Sequence, residues 1–203
     1  MTNAPDLSLE TDAFATGAKN VCGIDEAGRG PWAGPVVAAA VILDTAWLPH
    51  GINDSKKLTE RARDELAAAI HTHAQVGVGL ATVEEIDRLN IRAATFLAMA
   101  RAVAALPALP DMALIDGRDT PDVGCPARAV IKGDGRSLSI AAASIIAKTT
   151  RDAMMVAMDA DFPGYGFARH KGYGTKAHRA ALEKLGITPH HRKSFAPIAL
   201  LHR

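Results

Sequence analysis

Cysteine is nearly absent from this chain, with only Cys22 and Cys125 among 203 residues. Two cysteines, one inside an apolar run and one in a turn-rich stretch, make neither a disulfide framework nor a thiolate zinc site. Aromatic residues are scarce at 4%, and Trp32 and Trp47 stand too far apart to suggest a base-stacking surface. No apolar run is long enough to cross a bilayer, so no membrane partner is expected. Met1 to Asn20 lacks the basic-then-apolar pattern of a leader peptide, which makes a cytoplasmic location the expectation. Repeats, low-complexity tracts and interdomain linkers are missing too. The stretch Gly28 to Pro35 is glycine-rich, but no Gly-Lys-Ser/Thr follows it, which excludes a phosphate-loop NTPase. The eight histidines show no metal-ligand spacing; His71 and His73 read as a helix end, and His190 and His191 as a C-terminal loop.

What is present reads as one α/β domain with a good core, at 48% hydrophobic residues. Residues 1–20 are polar and aperiodic and are expected to be flexible. Strands are expected at Val21–Asp25, Val36–Leu43, Val76–Ala81, Met112–Ile115 and Ala127–Ile131. The second is apolar without alternation, as a strand covered on both faces would be. Thr59 can cap a helix reaching about Ala74. Thr82 with Glu85 forms a capping box that opens a helix to about Ala105, with Ile86, Leu89, Ala93, Leu97 and Ala100 at helical spacing. Ser139 is the expected cap of a long helix from Ile140 to about Asp159, whose small residues would let it approach the sheet closely. A shorter helix, Thr175 to Leu185, precedes an irregular arm. The domain division expected is 1–20 flexible, 21–163 catalytic, and 164–203 a basic extension packed on the same domain.

Net charge is only +1, but its distribution is uneven. From Tyr165 onward the bases Arg169, Lys171, Lys176, Arg179, Lys184, Arg192, Lys193 and Arg203 face the single acid Glu183. Such an end suits a phosphate backbone, or an ordinary solvated surface. The acids show a second pattern. Asp25, Glu26, Asp116 and Asp134 each follow a hydrophobic strand, and strand ends pointing the same way form a ligand crevice. Carboxylates gathered there would repel unless a hard cation such as Mg²⁺ or Mn²⁺ sat between them. Asp25 and Glu26 are consecutive, so in a regular strand they point to opposite faces; either the strand bends there or only one is a ligand. Gly28 and Gly30 allow close backbone approach, and Arg29 offers a planar donor fork between them.

Several blocks of the chain resemble those of the bacterial ribonuclease HII family. Asp25-Glu26-Ala27-Gly28-Arg29-Gly30-Pro31 is similar to its opening signature. Asp54-Ser55-Lys56-Lys57-Leu58, Ile115-Asp116-Gly117 and Lys132-Gly133-Asp134 follow in order. Ala142 to Lys148, Arg151-Asp152, Tyr165-Gly166-Phe167, His170 to Thr175 and His191 to Phe195 complete the series, which runs from about residue 21 to 197. Gly135, where the family often has alanine, is a minor departure.

The resemblance implies a ribonuclease H-like fold, a mixed sheet flanked by helices. It implies an endoribonuclease that cleaves the RNA strand of RNA–DNA hybrids and nicks duplex DNA 5′ of embedded ribonucleotides. The expected chemistry is two-metal hydrolysis leaving 5′-phosphate and 3′-hydroxyl ends, with Mn²⁺ or Mg²⁺ as cofactor and a role in ribonucleotide removal during DNA repair and replication. Asp25, Glu26, Asp116 and Asp134 correspond to the family's four acids. Gly28, Arg29 and Gly30 resemble its ribose sensor, which contacts the 2′-OH, and Tyr173 resembles the tyrosine that packs on the neighbouring sugar. Ser55, Lys56, Lys57, Ser144, Lys148 and Arg192 are expected on the nucleic-acid backbone, where contacts position rather than read sequence. A monomer is expected.

Other residues read more simply. Asp111, Asp119 and Asp122 suit turn chemistry. Lys148 and Asp152 suit an i,i+4 ion pair. Ser144 also fits small-residue packing, and Tyr165 and Phe167 fit a structural cover under the basic arm. Two other functions remain open at this point: a hybrid-specific ribonuclease H that needs several consecutive ribonucleotides, and a non-catalytic hybrid-binding protein.

Overall fold

A computed structural model of the chain describes residues 4–201. Its frame is a five-stranded sheet in the order β3-β2-β1-β4-β5, where β1 is Val21–Ala27, β2 Val36–Ile42, β3 Gln75–Ala81, β4 Met112–Asp116 and β5 Ala127–Val130. The chain meanders antiparallel through β1, β2 and β3, then crosses over so that β4 and β5 run parallel to β1. Every residue of β2 is buried, which explains its unbroken apolar sequence.

Helices cover both faces. On one lies α4, Ile91–Ala104, packed over Cys22, Ile24, Ala38 and Ile115. On the other lies α5, the 24-residue helix Leu138–Asp161, whose Ala141–Ala143 run is fully buried. Gly23 of β1 makes that approach possible, because a Cβ there would collide with the backbone of Ser139 and Ile140. Alongside α5 runs α2, Glu60–His73, capped by Thr59 as expected. No helix is long and apolar enough to cross a membrane among the described residues.

Three expectations need correction. The N-terminal stretch carries a helix, α1, Ser8–Ala15, with Leu9 and Ala13 packed against Val21, Leu114 and Ile140. Its polar composition hid one buried anchor: Glu10 accepts hydrogen bonds from Ser137 Oγ, Ser139 N and Ser139 Oγ at 2.5, 2.9 and 2.6 Å. Accordingly Ser137, not Ser139, caps α5, accepting from Ile140 N at 3.1 Å. The helix expected from Thr82 to Ala105 is two: α3, Val83–Leu89, behind the capping box, and then α4. Between them Asn90 takes φ 71° and accepts from Arg92 N and Ala93 N. Asparagine tolerates the positive φ and caps at once, so the apolar period runs through a break it does not reveal.

Beyond Pro163 the chain forms the short α6, Phe167–His170, then α7, Lys176–Leu185, and α8, Ala196–Ala199. Tyr165, Phe167, Leu182 and Ile198 pack with Ala33 and Met155 in a separate cluster. That cluster seats the C-terminal segment against the β1–β2 connection.

Candidate active site

Strand register brings the acids together. Gly23 of β1 pairs with Leu114 of β4 in parallel, so two residues on, Asp25 and Asp116 lie side by side on the α5 face. The third acid, Asp134, comes from a 3-10 turn, Gly133–Gly135, just ahead of α5. Carboxylate oxygens of Asp25, Asp116 and Asp134 all lie within 4.8 Å of one another. Main-chain donors orient two of them: Glu26 N–H donates to Asp25 Oδ1 and Gly133 N–H to Asp116 Oδ1, each at 2.7 Å.

β1 continues unbroken to Ala27, so Glu26 keeps the opposite alternation from Asp25 and is not part of the three-acid group. It still lines the cleft and takes an ion pair from Arg29 Nη1 at 3.3 Å. Burial, then the charges of Glu26 and Asp116, hold the Asp25 carboxyl well above its ordinary range. Burial raises Glu26 and Asp116 as well, opposed by Arg29 in the first case and by the Gly133 N–H in the second. A cation between these oxygens would offset that strain. The Lys56 ammonium stands 3.4 Å from Asp134 Oδ2. The donor set is all oxygen, which fits a hard divalent ion.

Asp25 and Glu26 line a cleft of ≈ 280 Å³ together with Gly28, Arg29, Gly30, Ser55, Lys56, Ser144, Lys148 and Tyr173, and Asp25 joins that cleft to the three-acid group. Gly28 has φ 96°, and a Cβ there would strike the Arg151 side chain and the Pro35 carbonyl. At Gly30 the nearest atom to a built Cβ is Tyr173 Cε1, at 3.7 Å. Tyr173 is itself 47% exposed, so glycine backbone and tyrosine ring face each other across a narrow slot. Ser55 N–H donates to Ser144 Oγ at 3.2 Å, and Ser144 donates to Ala141 O at 2.9 Å. Ser144 thus pins the Ser55–Lys57 turn to α5. Lys148 pairs with Asp152 at 2.7 Å, as the spacing suggested. Lys57 is exposed outside the cleft lining.

Arg192 is not where it was expected. It is fully buried and points its guanidinium at the carbonyls of Gly28, Arg29, Gly34 and Pro35, so it cannot reach a phosphate backbone. A basic residue in a basic tail looks like a surface charge, and only the fold shows it turned inward. Arg151 behaves alike, donating to Pro35, Lys171 and Ala33 carbonyls at 3.0, 3.0 and 3.1 Å. Sequence reasoning gave Arg151 no role; its place three residues after Lys148 on α5 was the available signal. The other omission is a buried trio, His170, His178 and His191, whose members are too dispersed in sequence to look like a cluster.

A mixed sheet with acids from neighbouring strands meeting beside the start of a long helix defines a ribonuclease H-like, metal-dependent nuclease. Two archaeal structures share it: ribonuclease HII of Archaeoglobus fulgidus, solved with PCNA, at TM-score 0.74 and 28% identity over 86% of this chain and 94% of that one; and ribonuclease H2 of Pyrococcus horikoshii, at TM-score 0.74 and 25% identity over 90% and 97%. A Ribonuclease HII of Ruegeria pomeroyi is 58% identical over 195 residues, covering 96% of this chain and 83% of that protein. The sequence profile of the Ribonuclease HII family matches residues 22–198. The chain belongs to the ribonuclease HII family. It is a hydrolytic endoribonuclease of the ribonuclease H type, dependent on divalent metal.

Proposed function

We propose that this enzyme cleaves the RNA strand of RNA–DNA hybrids and also nicks duplex DNA on the 5′ side of a single embedded ribonucleotide, leaving a 3′-hydroxyl and a 5′-phosphate. It acts as a monomer in ribonucleotide removal during DNA repair and replication. The observation that carries the reading is a shared residue: Asp25 belongs both to the three-acid group with Asp116 and Asp134 and to the lining of the cleft that holds Gly28–Gly30 and Tyr173. A scissile phosphate and the sugar beside it are adjacent in a nucleic acid, so one site for each must be adjacent in the enzyme.

Asp25, Asp116 and Asp134 would hold Mg²⁺ or Mn²⁺, with Glu26 at the rim. Bound there, divalent cations would neutralise the phosphate, lower the pKa of water and stabilise the departing 3′ oxygen. The chain's own groups do the positioning. Glu26 N–H and Gly133 N–H fix the carboxylate planes. Backbone at Gly28, Arg29 and Gly30 offers hydrogen bonds to the 2′-OH, the group that separates RNA from DNA. The Tyr173 ring backs the adjoining sugar. Lys56 and Lys148 present ammonium groups to phosphates inside the cleft, Lys57 to the backbone beyond it, and Ser55 and Ser144 shape the turn that carries Lys56.

The test is a labelled DNA duplex with one internal ribonucleotide, incubated with Mg²⁺ or Mn²⁺ beside an all-DNA control. A single cut 5′ of the ribonucleotide with a 3′-hydroxyl is the expected result. Cleavage confined to continuous hybrids would assign the enzyme to the type that needs several ribonucleotides. Binding without cleavage under either metal would overturn the catalytic assignment of the acids.

A further inference from the structure

Two adjacent residues of the C-terminal segment, His191 and Arg192, reach the two walls of the sugar slot from behind. Both are fully buried, and neither lines the cleft. Main-chain pairing seats them there: Arg192 N–H donates to Trp32 O at 2.8 Å and Gly34 N–H to His190 O at 2.9 Å.

Arg192 serves one wall. Its Nη1 donates to Arg29 O at 2.9 Å, its Nη2 to Gly28 O at 2.5 Å and Gly34 O at 2.8 Å, and its Nε to Gly34 O at 2.9 Å. Among the described residues no carboxylate is a hydrogen-bond partner of Arg192. A rigid guanidinium fork in contact with carbonyls on both limbs of the loop fixes the curvature that presents Gly28, Arg29 and Gly30. A lysine has neither the plane nor the five donors.

The other wall is reached through a relay whose direction its ends dictate. Thr188 N–H donates to His191 Nδ1 at 2.9 Å, so that nitrogen carries no proton and Nε2 does. His191 Nε2–H then donates to His178 Nε2 at 3.0 Å. This leaves the His178 proton on Nδ1, which donates to Tyr173 O at 3.0 Å. His178 is also held between His170, stacked at 4.4 Å, and Phe167, edge-on at 5.5 Å.

We propose that His191 and Arg192 form a two-armed brace that sets the width of the ribose slot, so that the C-terminal segment governs selectivity for an isolated ribonucleotide without touching substrate. This rests on the reading of the slot as the 2′-OH sensor. Arg192 holds the Gly28–Arg29 wall, and His191 holds the Tyr173 wall through His178. All three are positioning residues. An isolated ribonucleotide offers the slot one register, and a loosened slot loses it. A continuous hybrid offers a 2′-OH at every register and tolerates the same loosening better.

The experiment compares kcat/KM for a single-ribonucleotide duplex with that for a continuous RNA–DNA hybrid, in the wild type, Arg192→Lys, His178→Leu and His178→Asn. Misplacing a positioning group can cost up to about a hundredfold, so the single-ribonucleotide to hybrid ratio should fall roughly tenfold or more in Arg192→Lys and His178→Leu. His178→Asn, whose amide can still donate to the Tyr173 carbonyl, should recover most of the ratio. A purely structural role would lower both substrates in proportion, and an unchanged ratio in Arg192→Lys and His178→Leu overturns the brace. If Arg192→Lys fails to accumulate as folded protein, the His178 pair decides alone. A wild type that cuts only the continuous hybrid removes the 2′-OH sensor itself, an outcome distinct from failure of the brace.

Discussion

Asp25 sits in an environment that no carboxylate would choose without a counter-charge. It is 5% exposed, shares its space with Asp116 and Asp134, and has its proton affinity raised by burial and by its acidic neighbours. Replacing it with asparagine keeps the shape and the acceptor for the Glu26 N–H while removing a charge. Activity should fall by about a hundredfold or more, in line with the loss of one preorganised electrostatic group. Unfolding monitored in a metal chelator should show the opposite sign, with Asp25→Asn melting at or above the wild type. A variant that is both inactive and markedly less stable would mean that Asp25 is a packing residue. These acids were legible in sequence because each follows a hydrophobic run, although Asp25 proves to lie inside β1 and Asp134 in the turn after β5. The grouping among them was not: only pairing register sets Asp25 beside Asp116, while Glu26 lines the same cleft outside the three-acid group. Arg192 was misread for the converse reason, since nothing local marks a basic residue that the chain will bury under its own carbonyls.

At the level of elements, periodicity and caps located the strands and most helix starts, because those signals are local. Thr59 and the Thr82–Glu85 box cap where they should. What escaped were features that depend on a distant partner. The helix α1 exists because Leu9 and Ala13 find a hollow beside Leu114 and Ile140, and Ser139 is interior because Glu10 takes its hydroxyl. Glu10 also places a negative charge at the start of α5, where the helix dipole favours it. The turn carrying Asp134 lies immediately upstream, and Asp6 adds a main-chain tie there through Leu138 N–H at 3.0 Å. Glu10→Ala leaves the Ser139 N–H and two hydroxyls in search of acceptors, a cost of about 1–3 kcal/mol. Urea denaturation should register that loss, and Glu10→Gln, which keeps an acceptor oxygen, should lose less. Equal stability of all three proteins would mean that α1 is not anchored through this carboxylate.

The whole molecule is held closed around its site by the C-terminal segment, and that closure depends on neutral imidazoles. Burial, with a smaller contribution from the charges of neighbouring histidines, holds His178 and His191 down to about 4. An exposed histidine in the unfolded chain titrates near 6.5. Between these values the unfolded state binds protons that the folded state refuses. Stability therefore rises with pH across that interval and is lost as pH falls from about 6.5 toward 4. The contribution is fully present above 6.5. Melting temperature measured from pH 7.5 to 4.5 should drop in the wild type and drop less in His178→Asn, which removes one of the two sites. The acids of the cleft act in the other direction: their raised proton affinity means that acidification relieves repulsion in metal-free protein. The two effects are separable by location. Adding Mg²⁺ should change the melting curve through the carboxylate cluster but leave the difference between wild type and His178→Asn intact. If the pH dependence of the two proteins coincides, the histidine relay is not held neutral by the fold, and the coupling between C-terminal segment and slot must run through Arg192 alone.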